Sequence, residues 1–224
     1  SLTYLSVIWY SLVYSSEYFT NLNQANLVIV LLITFWALRL GSFLFMRIHK
    51  DGEDKRFRTI KPSASQFFMT WTLQGLWVSL CSMCALTAIS TDTGLIVNHV
   101  FFIGLILFIF GFLLEIIADK QKSEFRAIPE NKEKFITSGL WARSRHPNYF
   151  GEIVLWIGIS LVALPGLSSW QYFTLISPVF VFLLLTRISG IPMLDSAARK
   201  RWGDDPRFLE YKEATPVLIP RPPK

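Results

Sequence analysis

Apolar residues gather into six runs along the chain, at residues 2–14, 27–45, 67–89, 95–118, 153–164 and 172–185, with the polar residues collected between them. A bilayer core of roughly 30 Å is crossed by about 20 apolar residues in a helix. Lipid offers the backbone no hydrogen-bond partners, so such runs are expected to be helices that satisfy themselves. The pattern therefore predicts an all-α, polytopic transmembrane bundle with six visible segments. Runs 2–14 and 153–164 are short for a full crossing and read as truncated, tilted or partly re-entrant. Ser1 is not an initiator methionine and no basic stretch precedes Leu2. The chain is thus expected to begin inside a longer gene product, leaving room for a preceding helix.

Composition agrees: 52% of the 224 residues are apolar and 15% aromatic, and the mean hydropathy is +0.40, too oily for an ordinary soluble domain. The net charge of +6 would raise the question of nucleic acid in a soluble protein, but its distribution answers it. Of 22 Lys and Arg, six fall in 47–61, seven in 120–145 and seven in 199–224, with Arg39 and Arg187 near the same ends. Connections 15–26, 90–94 and 165–170 hold none. Six crossings place all three basic regions on one face, and the positive-inside rule makes that face cytoplasmic. The partner implied is a membrane, not nucleic acid. Cys81 and Cys84 lie mid-segment with no second pair or histidine nearby. They are expected to pack as small hydrophobes, without a disulfide or a metal set.

Several polar residues sit where apolar ones would be expected. Tyr10, Tyr14 and Tyr18 share a helical face in the first segment, as ring-bearing residues of an interfacial belt also do. Arg39, inside the second segment, must snorkel or meet a ligand, since a lone charge in hydrocarbon costs at least ~2.5 kcal/mol. Gln66, Thr70 and Gln74 give the third segment a polar stripe that either joins helices or lines a cavity. Glu115, Asp119, Lys122 and Arg126 fall on one face of a helix continuing from the fourth segment. Pro129 is expected to end it.

The densest polar stretch is Gly139-Leu-Trp-Ala-Arg-Ser-Arg-His-Pro-Asn-Tyr-Phe-Gly-Glu152. Pro147 suits a first helical turn, placing free N–H groups near Asn148 and Tyr149 beside Lys122, Arg126, Arg143 and Arg145, a seat for an anion. The region after 189 is too polar to span and carries Trp202, Phe208 and Tyr211, which need a packing surface. It reads as a lid over the preceding basic loop. No soluble-type dinucleotide or P-loop fingerprint occurs.

That stretch, together with Ala118-Asp-x-x-Lys-x-x-Phe-Arg126, Leu38-Arg-Leu-Gly41 and Trp202-Gly-Asp-Asp-Pro-x-x-x-x-Tyr211 through Leu218-Ile-Pro220, resembles uncharacterised bacterial membrane proteins of the steroid 5α-reductase family. Its Arg-His-Pro-x-Tyr-x-Gly core is shared with a wider superfamily that includes isoprenylcysteine carboxyl methyltransferases and sterol C14-reductases. The resemblance implies a seven-helix bundle in which NADPH, held on the cytoplasmic side, passes a hydride to a carbon–carbon double bond of a lipid-like substrate of steroid, sterol or polyprenyl type. It implies one integral membrane domain over 1–224, with 118–150 a cytoplasmic cofactor loop and 189–224 a cytoplasmic tail. By position, Asp119 and Arg126 match a cofactor-binding acid and base, Asn148 and Glu152 flank the nicotinamide, and Arg39 lies near the phosphates. Lys122, Arg145, His146, Tyr149 and Tyr211 complete the cofactor set, and Asp195 is the nearest acid to the family's C-terminal contacts.

The chain departs from the reductases at several places. Trp36 stands where they have a catalytic tyrosine, Glu115 where they tend to have asparagine, and the Gln-Glu substrate pair has no counterpart. Tyr149, Glu115, Tyr10 and Tyr14 are the candidates for a catalytic group in its place. Two other readings use the same scaffold: an S-adenosylmethionine-dependent methyltransferase acting on a lipid or isoprenyl substrate through Arg145, His146 and Tyr149, and a non-catalytic lipid-binding protein. The expected location is the bacterial inner membrane, or the endoplasmic reticulum in a eukaryote.

Overall fold

The computed structural model describes residues 2–18, 24–52, 57–91 and 94–223. Among these every regular element is helical, with no strand, as the apolar runs require. The elements are α1 (Leu2–Tyr18), α2 (Gln24–Asp51), α3 (Phe57–Ile60), α4 (Ala64–Ile89), α5 (His99–Ala127), α6 (Pro147–Ala163), α7 (Ile176–Leu183), α8 (Gly190–Trp202) and α9 (Pro206–Ala214). Five stretches are long and apolar enough to cross a membrane: 25–50, 64–89, 99–127, 147–166 and 169–202. The protein is an all-α polytopic membrane protein.

Three boundaries differ from the hydropathy reading. The run at 153–164 is the inner part of a helix that begins at Pro147, the residue expected in its first turn, so the polar residues 147–152 extend the apolar run at its start. A proline at the first position loses no hydrogen bond and presets the helical φ. The run at 172–185 is not one α-helix: a 3₁₀ stretch, Ser169–Leu175, leads into α7, and a π-turn, Leu184–Ile188, follows it. The fourth run begins its helix at His99, and α5 ends at Ala127, two residues before Pro129.

Contacts divide the chain into two compact units. The first comprises 1–104 and 159–177. Its centre is built by Ile8, Ile29, Ile33, Trp36, Val78, Cys81, Cys84 and Ile89, all nearly sealed from solvent. Both cysteines are buried. Polar groups knit its helices: Trp9 Nε1 donates to Thr34 Oγ1 at 3.0 Å, and the buried Asn26 amide accepts from the Leu95 N–H at 3.0 Å. Ser177 Oγ donates to Leu80 O at 2.8 Å. In lipid such bonds, not hydrophobicity, hold helices together. On α4, Thr70 Oγ1 returns its proton to Gln66 O within the same helix, and Gln66 is exposed.

The second unit comprises 105–158 and 178–224. Gly111 of α5 and Gly151 of α6 meet at its crossing, where a Cβ on Gly111 would stand 2.5 Å from Gly151 O and one on Gly151 would stand 2.7 Å from Gly111 O. Only glycines let two helix backbones approach so closely. Past the crossing α5 runs on to carry Ala118, which packs with Ile136 and Trp141. Phe135 meets Trp202, Phe208 and Tyr211 with ring centroids 5.2–5.7 Å apart. The aromatic residues of the C-terminal region thus find their packing surface on the loop before α6, as expected of a lid.

Candidate functional site

The second unit's polar site is assembled around the start of α6. The strap after α9 fixes its approach: Arg145 N–H donates to Pro216 O at 2.9 Å and Arg221 N–H to Arg143 O at 3.0 Å. Ser144, fully buried, donates its hydroxyl to Leu218 O at 2.8 Å and accepts from the His146 N–H at 3.2 Å. Residues 143–146 are therefore held by backbone and hydroxyl bonds that do not depend on their charges. The loop before them is pinned to α5, since Trp141 Nε1 donates to Ala118 O at 3.0 Å and Leu140 N–H to Gln121 Oε1 at 2.9 Å.

On this frame α5 and α6 exchange a hydrogen bond, Asn148 Nδ2 to Asp119 Oδ1 at 3.3 Å. An amide so held presents its carbonyl oxygen as a fixed acceptor. Lys122, one turn along α5 from Asp119, lays its ammonium 4.4 Å over the Trp141 ring, a cation–π contact. Glu115, one turn the other way, is buried beside the glycine crossing. Glu152 is half-buried on α6, and Arg126 lies exposed near the end of α5.

The third part of the site is contributed by α8 and α9. Asp195 of α8 is approached by Arg145 Nη1 at 3.7 Å and His146 Nε2 at 3.8 Å on one oxygen, and by Lys212 Nζ of α9 at 3.9 Å on the other. The His146 ring stacks on Tyr149, centroids 5.6 Å apart and planes 10° from parallel. Burial lowers the His146 pKa from 6.5 to about 4, helped by the positive charges of Lys122 and Arg145 and opposed by Asp195. The imidazole is therefore neutral at pH 7. Burial also pushes the Tyr211 hydroxyl up to about 12, and it donates to Trp141 O at 2.7 Å.

So Asp119, Lys122, Arg145, His146, Asn148, Tyr149, Asp195 and Tyr211 fall in one unit, in three contact groups: Asn148 on Asp119, Lys122 and Tyr211 on Trp141, and Arg145, His146 and Lys212 around Asp195 with Tyr149 stacked on His146. Arg39, Trp36 and Tyr10 belong to the first unit. There Arg39 lies over the Phe43 ring at 5.6 Å, Trp36 is buried and Tyr10 is exposed. The side chains of Tyr14 and Tyr18 lie outside the described residues. Lys212 has no sequence signal beyond following Tyr211. A lysine in a polar helix reads as solvated, and only the fold brings it to Asp195.

A family profile described as a protein of unknown function (DUF1295) matches residues 2–215. The chain belongs to the DUF1295 family. DUF1295 is a steroid 5α-reductase-like family of membrane proteins. Among curated proteins, a probable O-methyltransferase (ustE) of Ustilaginoidea virens is 29% identical over 152 residues, covering 61% of this chain and 51% of its own. An uncharacterized protein of Schizosaccharomyces pombe is 25% identical over 197 residues, covering 75% of this chain and 57% of its own. This DUF1295 chain thus spans about half the length of the curated relatives it matches. No solved structure matches it.

Proposed function

We propose that this DUF1295 protein is an NADPH-dependent membrane reductase that transfers a hydride to a carbon–carbon double bond of a steroid-, sterol- or polyprenyl-like lipid. The observation that carries the reading is a surplus of positive charge. Arg145 and Lys212 face a single carboxylate, Asp195, beside a neutral His146. Such a surplus suits a phosphate-bearing dinucleotide and opposes a sulfonium. The buried Arg145 Nε and His146 Nδ1 have no protein hydrogen-bond partner, which a bound ligand would supply.

In this reading Arg145 and Lys212 hold phosphate, and Arg126 adds charge from the end of α5. The Asn148 carbonyl, fixed through Asp119, accepts from an amide. NADPH, when bound, supplies the hydride. The balancing proton has to come from a group that can release one, and an indole such as Trp36 does not readily do so. Tyr149 and Glu115 are the second unit's candidates, Tyr149 because it is placed by its stack on His146 and Glu115 because a carboxyl so buried is retained for a reason. In this reading the site faces the cytoplasm, which the positive-inside distribution supports.

The methyltransferase reading draws on the name of the U. virens relative, a probable O-methyltransferase. Calorimetric titration of the purified protein separates the two. NADPH should bind, Arg126→Ala and Asn148→Ala should each weaken it by about tenfold, the loss of one charge-assisted contact, and S-adenosylmethionine should not bind. No heat with millimolar NADPH would sink the reductase reading, and saturable binding of S-adenosylmethionine alone would replace it.

A further inference from the structure

Helix α8 has two opposite faces, and the site uses one of them. Ile191, Asp195, Ala198 and Trp202, at offsets of 0, 4, 7 and 11, share one side of a helix of 3.6 residues per turn. That side faces the protein: Ile191 is buried, Asp195 meets Arg145 and His146 at 3.7 and 3.8 Å, and Trp202 packs on Phe135. Met193, Leu194, Ala197, Lys200 and Arg201, at offsets of 0, 1, 4, 7 and 8, share the other side, and all five are exposed. Exposed Ile188 precedes them and exposed Arg199 lies on their flank. The outward face is therefore apolar near the start of α8 and basic at its end, and the helix holds no acid besides the inward Asp195. Arg201 also donates to Lys132 O and to Glu133 Oε2 on the loop before α6, which sets the exposed Lys132 and Lys134 beside the basic end.

The stretch that ends in α8 runs for 34 residues, 169–202, whereas about 20 suffice to cross the hydrocarbon. The π-turn Leu184–Ile188 and Ser189, at φ −130° and ψ −49°, interrupt the α-helix before Gly190, a place where a helix can change direction. A helix that leaves the bilayer there, with exposed apolar residues first and Lys and Arg two turns on, matches the boundary between acyl chains and headgroups. Apolar side chains enter the acyl region at that depth, and basic ones reach phosphate. We propose that the outward face of α8 docks on the membrane surface and gathers anionic phospholipid headgroups through Arg199, Lys200 and Arg201, with Met193 and Leu194 inserted beneath them. A zwitterionic lipid would match the apolar half of this face but not its charge, so anionic headgroups are enriched there. The helix that holds Asp195 against Arg145 and His146 is thereby seated on lipid from its other side.

The test uses the full chain in nanodiscs. Ala197→Cys takes a dye on the outward face, since Cys81 and Cys84 are buried, and energy transfer to headgroup-labelled phosphatidylglycerol or phosphatidylcholine reads which lipid gathers at α8. Phosphatidylglycerol should be enriched over phosphatidylcholine by about fivefold or more, the effect of one or more charges at the surface. Arg199→Gln with Lys200→Gln should lose that preference, and Arg199→Lys with Lys200→Arg should keep it. Half-molar salt, which screens the charges and leaves the chain intact, should abolish it in the unsubstituted helix. Met193→Gln with Leu194→Gln should raise quenching of the Ala197 dye by aqueous iodide. Equal enrichment of the two lipids overturns the proposal, as does a preference that survives salt or the glutamine pair. Iodide quenching before any substitution as strong as for free dye would stand this face in water and overturn it too. Energy transfer between differently dyed copies in one disc, without a lipid preference, would assign the face to a second chain and reject the lipid.

Discussion

His146 shows how a single side chain records its surroundings. Desolvation dominates its depressed pKa, and the charges facing it are Lys122 from α5, Arg145 beside it, Asp195 from α8 and Lys212 from α9. Between the ordinary value of 6.5 and the folded value of about 4, an unfolded chain takes up a proton that the folded chain refuses. Stability is therefore fully present above pH 6.5 and declines as pH falls toward 4, by ~3 kcal/mol at most. Thermal unfolding of the purified protein across pH 7 to 4 should show that slope, and His146→Phe should flatten it. An unchanged slope in the variant would place the sensitivity elsewhere. At this scale the sequence was informative where a residue was out of place for its neighbourhood: Arg145 and His146 at a membrane helix start, Asp119 on an apolar helix. It was silent on Lys212, whose role is set by a carboxylate seventeen positions earlier that only the fold brings near.

At the scale of elements, the site depends on how closely α5 and α6 cross. Gly151→Ala places a methyl against the Gly111 carbonyl and the Glu115 backbone. Overpacking of this kind costs about 1–3 kcal/mol, and separating the helices would also lengthen the Asn148–Asp119 bond. The variant should melt earlier in detergent. Gly75→Ala on α4, where nothing lies within 4 Å of the added carbon, is the control and should melt at or slightly above wild type. Equal melting of Gly151→Ala and Gly75→Ala would refute the close crossing. Hydropathy located these helices because lipid imposes length and apolarity. Apolarity alone would begin α6 at 153, but Pro147 marked a first helical turn in the sequence, and the helix does begin there. The π-turn at Leu184–Ile188 carries no compositional mark, being a change of hydrogen-bond register within an apolar run.

At the scale of the molecule, charge and hydropathy act together. The basic regions 47–61, 120–145 and 199–224 alternate with connections free of Lys and Arg, which predicts one topology. A reporter inserted after Glu130 should read cytoplasmic, and one after Ser168 should read the opposite side. A swapped result would invert the site's orientation, and the same side for both would mean that 147–166 does not cross. The division into two compact units was not legible, because 159–177 joins the N-terminal residues while 178–224 joins 105–158. Interleaving of that kind leaves no linker and no shift in composition. The pairing of residues 143–145 with 216–221 carries the interleaving into time. During synthesis at about 5–20 residues per second, Arg143 and Arg145 wait several seconds for the strand-like partner that fixes them. A nascent chain whose membrane helices are already inserted therefore still lacks the bonds that fix residues 143–145, and they form only once the last residues have left the ribosome.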